Sequence, residues 1–571
     1  MFRTCDPPRA LRPLAWLAAV VAVLGTLTAA RGDVPTTVPS PGLRESTPDV
    51  IAFKNARLVL APGRVVPKGT LVVRDGVIVA VGSGVAIPAD AVQIDLQGKT
   101  LYPGLIDGYS TVGQPKGEDA PAAARGPGGF RQPAPAAPDV GAPYWNPLVA
   151  PQTHAHLQFR ADSTDFSKLR AQGVTAAVSV PAKGLVKGTS AVVLLGDEAT
   201  SKLVIKPDVA LDLAITVVQD FARNSYPTSP MGAYTLVRQS FYDADWYTKA
   251  WAAWQKDKSL PKPETNAALD ALQGYAGTLK PVVIECEDEH ACVRADKLAK
   301  EFGLHALLRG SGMEYRRLAE VRAINRPIIV PVNFPKAPAL DNADQEKSVE
   351  LTDLLHWDFA PENPARLSKA GVTIALTSDG LKDKSQFLKM VKLAVARGLD
   401  PDKALAALTT TPASLYGVSD RMGTLDAGKI ADFVVTDGNL FDDKTRVLST
   451  WVAGKRYDVV KTPAADPRGT WKLTMAGKGA APTLKLDGDV DRLTGSLSDG
   501  AQAKLKSAQM TDALLAMTLP GDSLGLFGVF RRHHDRVRTR GRQRVLQLAP
   551  FDKGMKRRPE VVGEQVRLRT K

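Results

Sequence analysis

The sequence predicts an α/β fold flanked by β-rich segments, and three observations carry that prediction. Between about residues 160 and 420, short apolar runs alternate with helix-length patterns, as parallel βαβ units require. Residues 50 to 103, and again Lys429 to Thr436 and Val447 to Val452, carry strand patterns without intervening helices. Residues 470 to 525 alternate apolar and polar positions among many glycines, which reads as a small separate β domain. A chain of 571 residues has room for roughly three to four domains, and its three cysteines exclude a disulfide scaffold.

In chain order, Arg3, Arg9 and Arg12 precede an apolar run from Leu14 to Leu27, followed by the small residues Thr28-Ala29-Ala30. This is the pattern of a signal peptide over residues 1–30, so the protein is expected to be exported, periplasmic or secreted. The alternative, a single membrane anchor, calls for a longer run. No later segment approaches eighteen consecutive apolar residues, so no stable membrane span is expected in the mature chain. Residues 31–48 are Pro/Thr/Ser-rich and read as a linker. Thr70 to Arg74 and Val77 to Val81 flank Asp75-Gly76, a hairpin signal, because a tight turn needs positive φ there. From about 113 to 150 the chain is dominated by Pro, Gly and Ala, too long for an ordinary connection and so either a disordered segment or a lid.

Strand runs follow at Val174 to Val180, Val192 to Leu195, Pro281 to Ile284, Ala306 to Leu308, Ile328 to Val332 and Val372 to Leu376. Helical patterns at Val293 to Phe302 and Gln386 to Arg397 lie between them. Cys286 and Cys292 are six residues apart and either pair or stay reduced. The net charge is +14, yet residues 531–571, with 14 Lys+Arg against 4 Asp+Glu, hold +10 of it. The basic character therefore belongs to a tail, a polybasic arm or a solvated extension, and no nucleic acid is expected on the folded body.

Three segments together resemble the amidohydrolase superfamily, in its imidazolonepropionase-like branch. They are Gly98-Lys99-Thr100-Leu101-Tyr102-Pro103-Gly104-Leu105-Ile106-Asp107, then Ala375-Leu376-Thr377-Ser378-Asp379-Gly380, and finally Thr410-Thr411-Pro412-Ala413 with Gly423 to Asp432 and Val452-Ala453-Gly454-Lys455. The resemblance implies a (β/α)8 TIM-type barrel over residues 104–420. It also implies a composite β-sandwich from both flanks, 49–103 and 421–460, to which the small C-terminal β domain (466–530) and basic tail (531–571) are added. It further implies hydrolysis of non-peptide carbon–nitrogen bonds, often in cyclic amides, with one or two divalent metals.

Barrel sites form at the C-terminal ends of strands, so the residues after each apolar run are the ones to inspect. The family's metal-binding His-x-His at the end of the first strand corresponds here to Tyr109-Ser110-Thr111. Tyr109 and Thr111 share a face, but neither is a plausible zinc ligand. Glu285-Cys286-Glu287 and Gly310 stand where relatives carry further histidines, and only the final-strand acid Asp379 is kept. Asp379 reads either as a residual catalytic acid or as the cap of the next helix. Glu285, Glu287 and Asp379 offer hard oxygen ligands that suit a weak divalent metal better than zinc, and otherwise no cofactor is expected. Without a metal, those acids call for protonation or an internal cation. Arg309 is a candidate, although strand parity relative to Gly310 turns it toward the helices.

His356, near Asp358, reads either as a general base or as a loop residue packed on Trp357. His154-Ala155-His156 is a true His-x-His but lies in a polar context outside the strand runs and reads as surface. Two functions are therefore expected in competition. One is an exported hydrolase of carbon–nitrogen bonds with an altered metal site; the other is a metal-free, inactive relative serving as a binding or structural protein. Either takes a small-molecule ligand and is compatible with a homo-oligomer.

Overall fold

The structure, a computed structural model, describes residues 49–115, 142–161, 164–216, 226–338, 342 and 347–460, together with the strands of a third sheet between 469 and 551. The segments read as signal peptide and linker, most of the 113–150 loop and the Arg-rich stretch 531–544 lie outside the described residues. No helix among the described residues is long and apolar enough to cross a membrane.

The first sheet has eight strands drawn from both flanks of the barrel. They are β1 (Val50–Ala61), β2 (Arg64–Arg74), β3 (Val77–Gly82), β4 (Val92–Asp95), β5 (Thr100–Pro103), and, much later in the chain, three more. Their ranges are Phe433–Thr436 (β14), Val447–Val452 (β15) and Lys455–Asp458 (β16). The order is β16-β15-β14-β5-β1-β2-β3, with β4 alongside β1, so the two flanks join where β14 pairs antiparallel with β5. Phe53, Phe433 and Trp451 meet at that seam with centroids 4.8–5.3 Å apart, each ring pair contributing about 0.5–1.5 kcal/mol beyond its burial. The Asp75-Gly76 turn forms as the sequence predicts, with φ of +49° and +76°, and Gly76 is required because a Cβ there would lie 2.6 Å from the Ala453 carbonyl oxygen.

The second sheet is the barrel, made of β6 (Leu105–Ser110), β7 (Val174–Ser179), β8 (Val186–Leu194), β9 (Val204–Ala214), β10 (Pro281–Glu285), β11 (His305–Arg309), β12 (Ile328–Pro331) and β13 (Ile374–Thr377). They are arranged in chain order and nearly close a circle. These strands are buried on both faces, which is why they read as continuous apolar runs rather than alternating ones. Side chains draw the last gap together. Ser378 donates to Asp107 from its backbone N–H and its hydroxyl, Thr377 donates to the Tyr109 carbonyl, and Tyr416 donates to the Gly108 carbonyl at 2.8 Å.

One strand departs from the all-parallel barrel. β8 runs antiparallel to both β7 and β9. Only residues 180–185 separate β7 from β8, and a parallel crossover needs about a dozen residues or more, so the chain must reverse. Outside the strands, Asp288 caps the helix Glu289–Glu301 by accepting from Ala291 N, and Phe387–Ala396 forms the second helix that the sequence predicts. The helix Pro230–Lys256 starts at a Ser229 cap followed by proline.

The third sheet contains eight strands between Gly469 and Phe551, with buried Leu484 and Leu486 alternating with exposed Lys485 and Asp487. The strand Thr483–Asp489 pairs with both Gly469–Met475 and Arg492–Asp499, closing seven of the eight into a ring. Its last strand, Val545–Phe551, falls inside the segment read from the sequence as a tail. That run, Val-Leu-Gln-Leu-Ala-Pro-Phe, is apolar enough to pair with Lys472–Met475 and Gly525–Gly528, and the charge of its surroundings masks it.

Candidate active site at the barrel mouth

β6, β8, β10 and β11 bring Tyr109, Lys187, Glu285 and Arg309 together at the end of the barrel, and Asp379 joins them two residues beyond β13. Tyr109 is fully buried, and its hydroxyl donates to Glu285 Oε1. Lys187, only 9% exposed at its side chain, makes an ion pair with the same oxygen. Arg309 makes an ion pair with Asp379, the two side chains being 17% and 20% exposed. One layer deeper, Asp212 on β9 lies in register with Val283, two residues before Glu285 and so on the same face.

Asp212 has no solvent exposure and neither carboxylate oxygen has a hydrogen-bond partner. The nearby Ser190 hydroxyl donates to the Ala210 carbonyl, 3.3 Å away, instead. Burial pushes Asp212 well above the usual carboxylate range, with the charge of Glu285 adding to the effect, so it is held as the neutral acid. Burial also raises Asp107, against the opposing pull of Lys384 and Ser378. Tyr109 is pushed far up by burial and by the negative charge of Glu285 and Asp379, and its hydroxyl stays protonated. For Arg309 burial works against the charge, and the attraction of Asp379 and Glu285 outweighs it.

Several residues singled out in the sequence take other positions. Gly310 does not face the mouth, since a Cβ there would meet Glu314 Oε1 at 2.5 Å. The inward position is Arg309, in register with Glu285; the parity argument fails because it was counted from the wrong residue. Glu287 and Thr111 are exposed and outside the hydrogen-bonded group. Asp379 does not cap the following helical turn; Asp383 does, accepting from Ser385 N at 3.1 Å.

His356 is neither a loop residue nor paired with Asp358. It lies in the helix Leu351–Phe359, stacked on Tyr315 at 6.2 Å, while Asp358 bonds Arg397 at 2.9 Å. Burial and the charge of Arg316 hold its imidazole below the ordinary range. Cys286 and Cys292 are free, buried thiols. Sequence reasoning missed Lys187 and Asp212. Their signal was a single charged residue inside an otherwise apolar run, Val209-Ala210-Leu211-Asp212-Leu213-Ala214 being the clearer case.

The donor set at the mouth does not fit a divalent transition metal. Glu285 and Asp379 are each already neutralised by a side-chain cation, and none of Tyr109, Lys187 or Arg309 is a ligand for zinc. Among the described residues the group whose His, Cys, Asp or Glu ligand atoms converge within 4.8 Å of one another is His154, His156 and Asp208. The surface reading of His154 and His156 is thus incomplete, because both are half-buried and face Asp208.

A nearly closed eight-strand barrel with a composite sheet from both flanks, and a polar cluster at the strand ends, is a TIM-type barrel architecture with an added β domain. Residues 362–466 match the amidohydrolase family. An amidohydrolase from Thermotoga maritima MSB8 shares the fold at a TM-score of 0.57 and 24% identity, covering 71% of this chain and 99% of that one. A β-aspartyl dipeptidase from Fervidobacterium islandicum-AW-1 gives a TM-score of 0.36 at 13% identity over 71% of this chain and 96% of that one. N-acetylglucosamine-6-phosphate deacetylase from Caenorhabditis elegans is 45% identical over 64 residues, 11% of this chain, so the match spans only 14% of that curated relative. The chain therefore shares the fold of the amidohydrolases, and the family match itself is confined to residues 362–466.

Proposed function

We propose that this protein is an exported amidohydrolase-superfamily barrel that has exchanged metal-dependent hydrolysis for metal-free binding of a small molecule at the barrel mouth. The observation that carries this reading is the pair of side-chain cations, Lys187 on Glu285 and Arg309 on Asp379. A metal that polarises a carbonyl or lowers the pKa of water needs free donors and an open position. Here the positive charge is supplied by the chain itself and is consumed by its partners. In this reading the imidazolonepropionase-like motifs keep the scaffold while the ligand histidines are replaced.

Metal analysis and a substrate screen test it together. Hydantoins, lactams, dipeptides and N-acetylated amino sugars would be offered with zinc, with manganese and with neither. The reading expects no turnover, with retained binding of a subset of these compounds by calorimetry. Turnover that vanishes in Asp379→Asn would overturn it.

One observation favours a second reading, hydrolysis of cyclic amides or other non-peptide carbon–nitrogen bonds without a metal. Asp212, held as a neutral acid, lies one layer below Glu285 and so has the protonation state of a general acid. That reading expects slow turnover unaffected by chelators and abolished in Asp212→Asn.

A further inference from the structure

A second polar cluster sits on the N-terminal half of β9, away from the strand ends where barrel chemistry takes place. Residues 149–154 form a strap along β8, bonded to it through bridges at Val149–Val186 and His154–Thr189. The strap leads into a single helical turn, Ala155–Gln158, with His154 at its N-cap and His156 within it, their rings 5.5 Å apart. Nδ1 of His154 lies 2.7 Å from Asp208 Oδ1, and Nδ1 of His156 lies 3.6 Å from the same oxygen. Thr189 donates its hydroxyl to that oxygen and lies 3.1 Å from His154 Nδ1. Asp208 is turned into the cluster at a φ of +50°.

Two imidazoles and one carboxylate make a ligand set that zinc and its neighbours prefer over magnesium or calcium. Tetrahedral zinc with bonds of about 2.05 Å sets its ligand atoms about 3.3 Å apart, and the two nitrogen–oxygen separations here fall on either side of that value. His156 Nδ1 is buried with no hydrogen-bond partner. Such an orphan costs about 1–3 kcal/mol, and a cation between the rings removes it. Asp208 and His154 are 40% and 36% exposed at their side chains, which leaves a side open for solvent to complete the coordination.

We propose that His154, His156 and Asp208 bind one divalent transition-metal ion of the zinc class, which pins the 149–154 strap to β8 and β9. The ion joins two segments more than fifty residues apart in sequence and lies outside the mouth, so its role is structural.

The test uses untagged full-length protein stripped with a chelator and titrated with zinc against a chromophoric competitor. The expected result is one zinc per chain, bound at least tenfold more weakly in His154→Gln, His156→Gln and Asp208→Asn, and unchanged in Glu285→Gln/Asp379→Asn and in His533→Ala/His534→Ala, which removes the adjacent histidine pair of the basic 531–571 segment. Cobalt substitution of the parent gives an independent measurement that needs no variant to fold, and visible absorption of four-coordinate cobalt with nitrogen and oxygen ligands is expected. No zinc uptake by the parent would overturn the site. So would zinc lost only with the mouth residues, which would also contradict the metal-free reading above, or zinc lost only with His533 and His534.

Discussion

Arg309, at the end of β11, pairs with Asp379 beyond β13, across the intervening strand β12. The guanidinium takes the place at the mouth where the family resemblance implies a cation held by a strand-end acid. Removing one partner of a largely buried ion pair leaves the other charge uncompensated, whereas replacing both by apolar groups is far cheaper. Arg309→Met is expected to destabilise the protein by about 3 kcal/mol, the low end for such pairs because each side chain keeps some solvent contact. Arg309→Met/Asp379→Leu should cost less than Arg309→Met alone. Urea unfolding of the parent, Arg309→Met, Asp379→Leu and the double variant checks this, and a double variant as unstable as the sum of the two singles would show that the two residues do not interact.

Lys187 and Tyr109 both reach Glu285 Oε1, one with a charge and one with a neutral hydroxyl. Tyr109→Phe removes a neutral donor and should cost about 1–2 kcal/mol. Lys187→Met strips the counter-charge from a buried carboxylate and should cost about 3 kcal/mol or more. Guanidinium unfolding of the two variants gives the order, and equal losses would mean that Lys187 contributes only its hydrogen bond.

Gly188 has a φ of +112°, and a Cβ there would lie 2.1 Å from the Thr153 carbonyl oxygen. This close approach lets Thr189 N–H bond Thr153 O at 2.8 Å and seats the strap that carries His154 and His156. Gly188→Ala combines backbone strain with a backbone clash, and the expected loss is about 3 kcal/mol or more. Limited proteolysis should show earlier cleavage between residues 146 and 160 than in the parent. Unchanged proteolysis and stability would mean the strap tolerates displacement.

How far the sequence displayed this architecture depends on the range of the interactions involved. Val174 to Val180 and Ile328 to Val332 were legible because a strand buried on both faces must be apolar throughout. The reversal of β8 is readable in principle, since the six residues after Ser179 cannot carry a parallel crossover, whereas the family resemblance implies eight equivalent βα units. The positions of Tyr109 and Asp379 at the strand ends are legible because Tyr109 lies near the end of one recognisable strand and Asp379 just beyond another. Arg309 was assigned to the wrong face because facing alternates at every residue and the count began at Gly310. The convergence of His154 and His156 on Asp208 had no local signal at all: the acid is over fifty residues away and reaches the strap only through the β8–β9 pairing.

Asp432, in the Ile430-Ala431-Asp432 part of the family signature, gives a pH signature with a definite sign. One oxygen accepts from Ala453 N at 2.8 Å and the other has no partner, while burial raises the carboxyl to about 7 despite that bond and the charge of Arg421. Below about pH 3.8 the group is protonated in both folded and unfolded chains, and its contribution is fully present. Between about 3.8 and 7 the unfolded chain ionises while the folded one keeps its proton, so this stabilisation is lost as pH rises and is gone above 7. The span is about three pKa units, or up to about 4 kcal/mol. Asp432→Asn keeps an oxygen for Ala453 N–H and does not titrate, so its urea midpoint should fall less than the parent's between pH 4 and 7. Parallel profiles for the two proteins would show that Asp432 is ionised in the folded state at neutral pH and that its second oxygen is solvated.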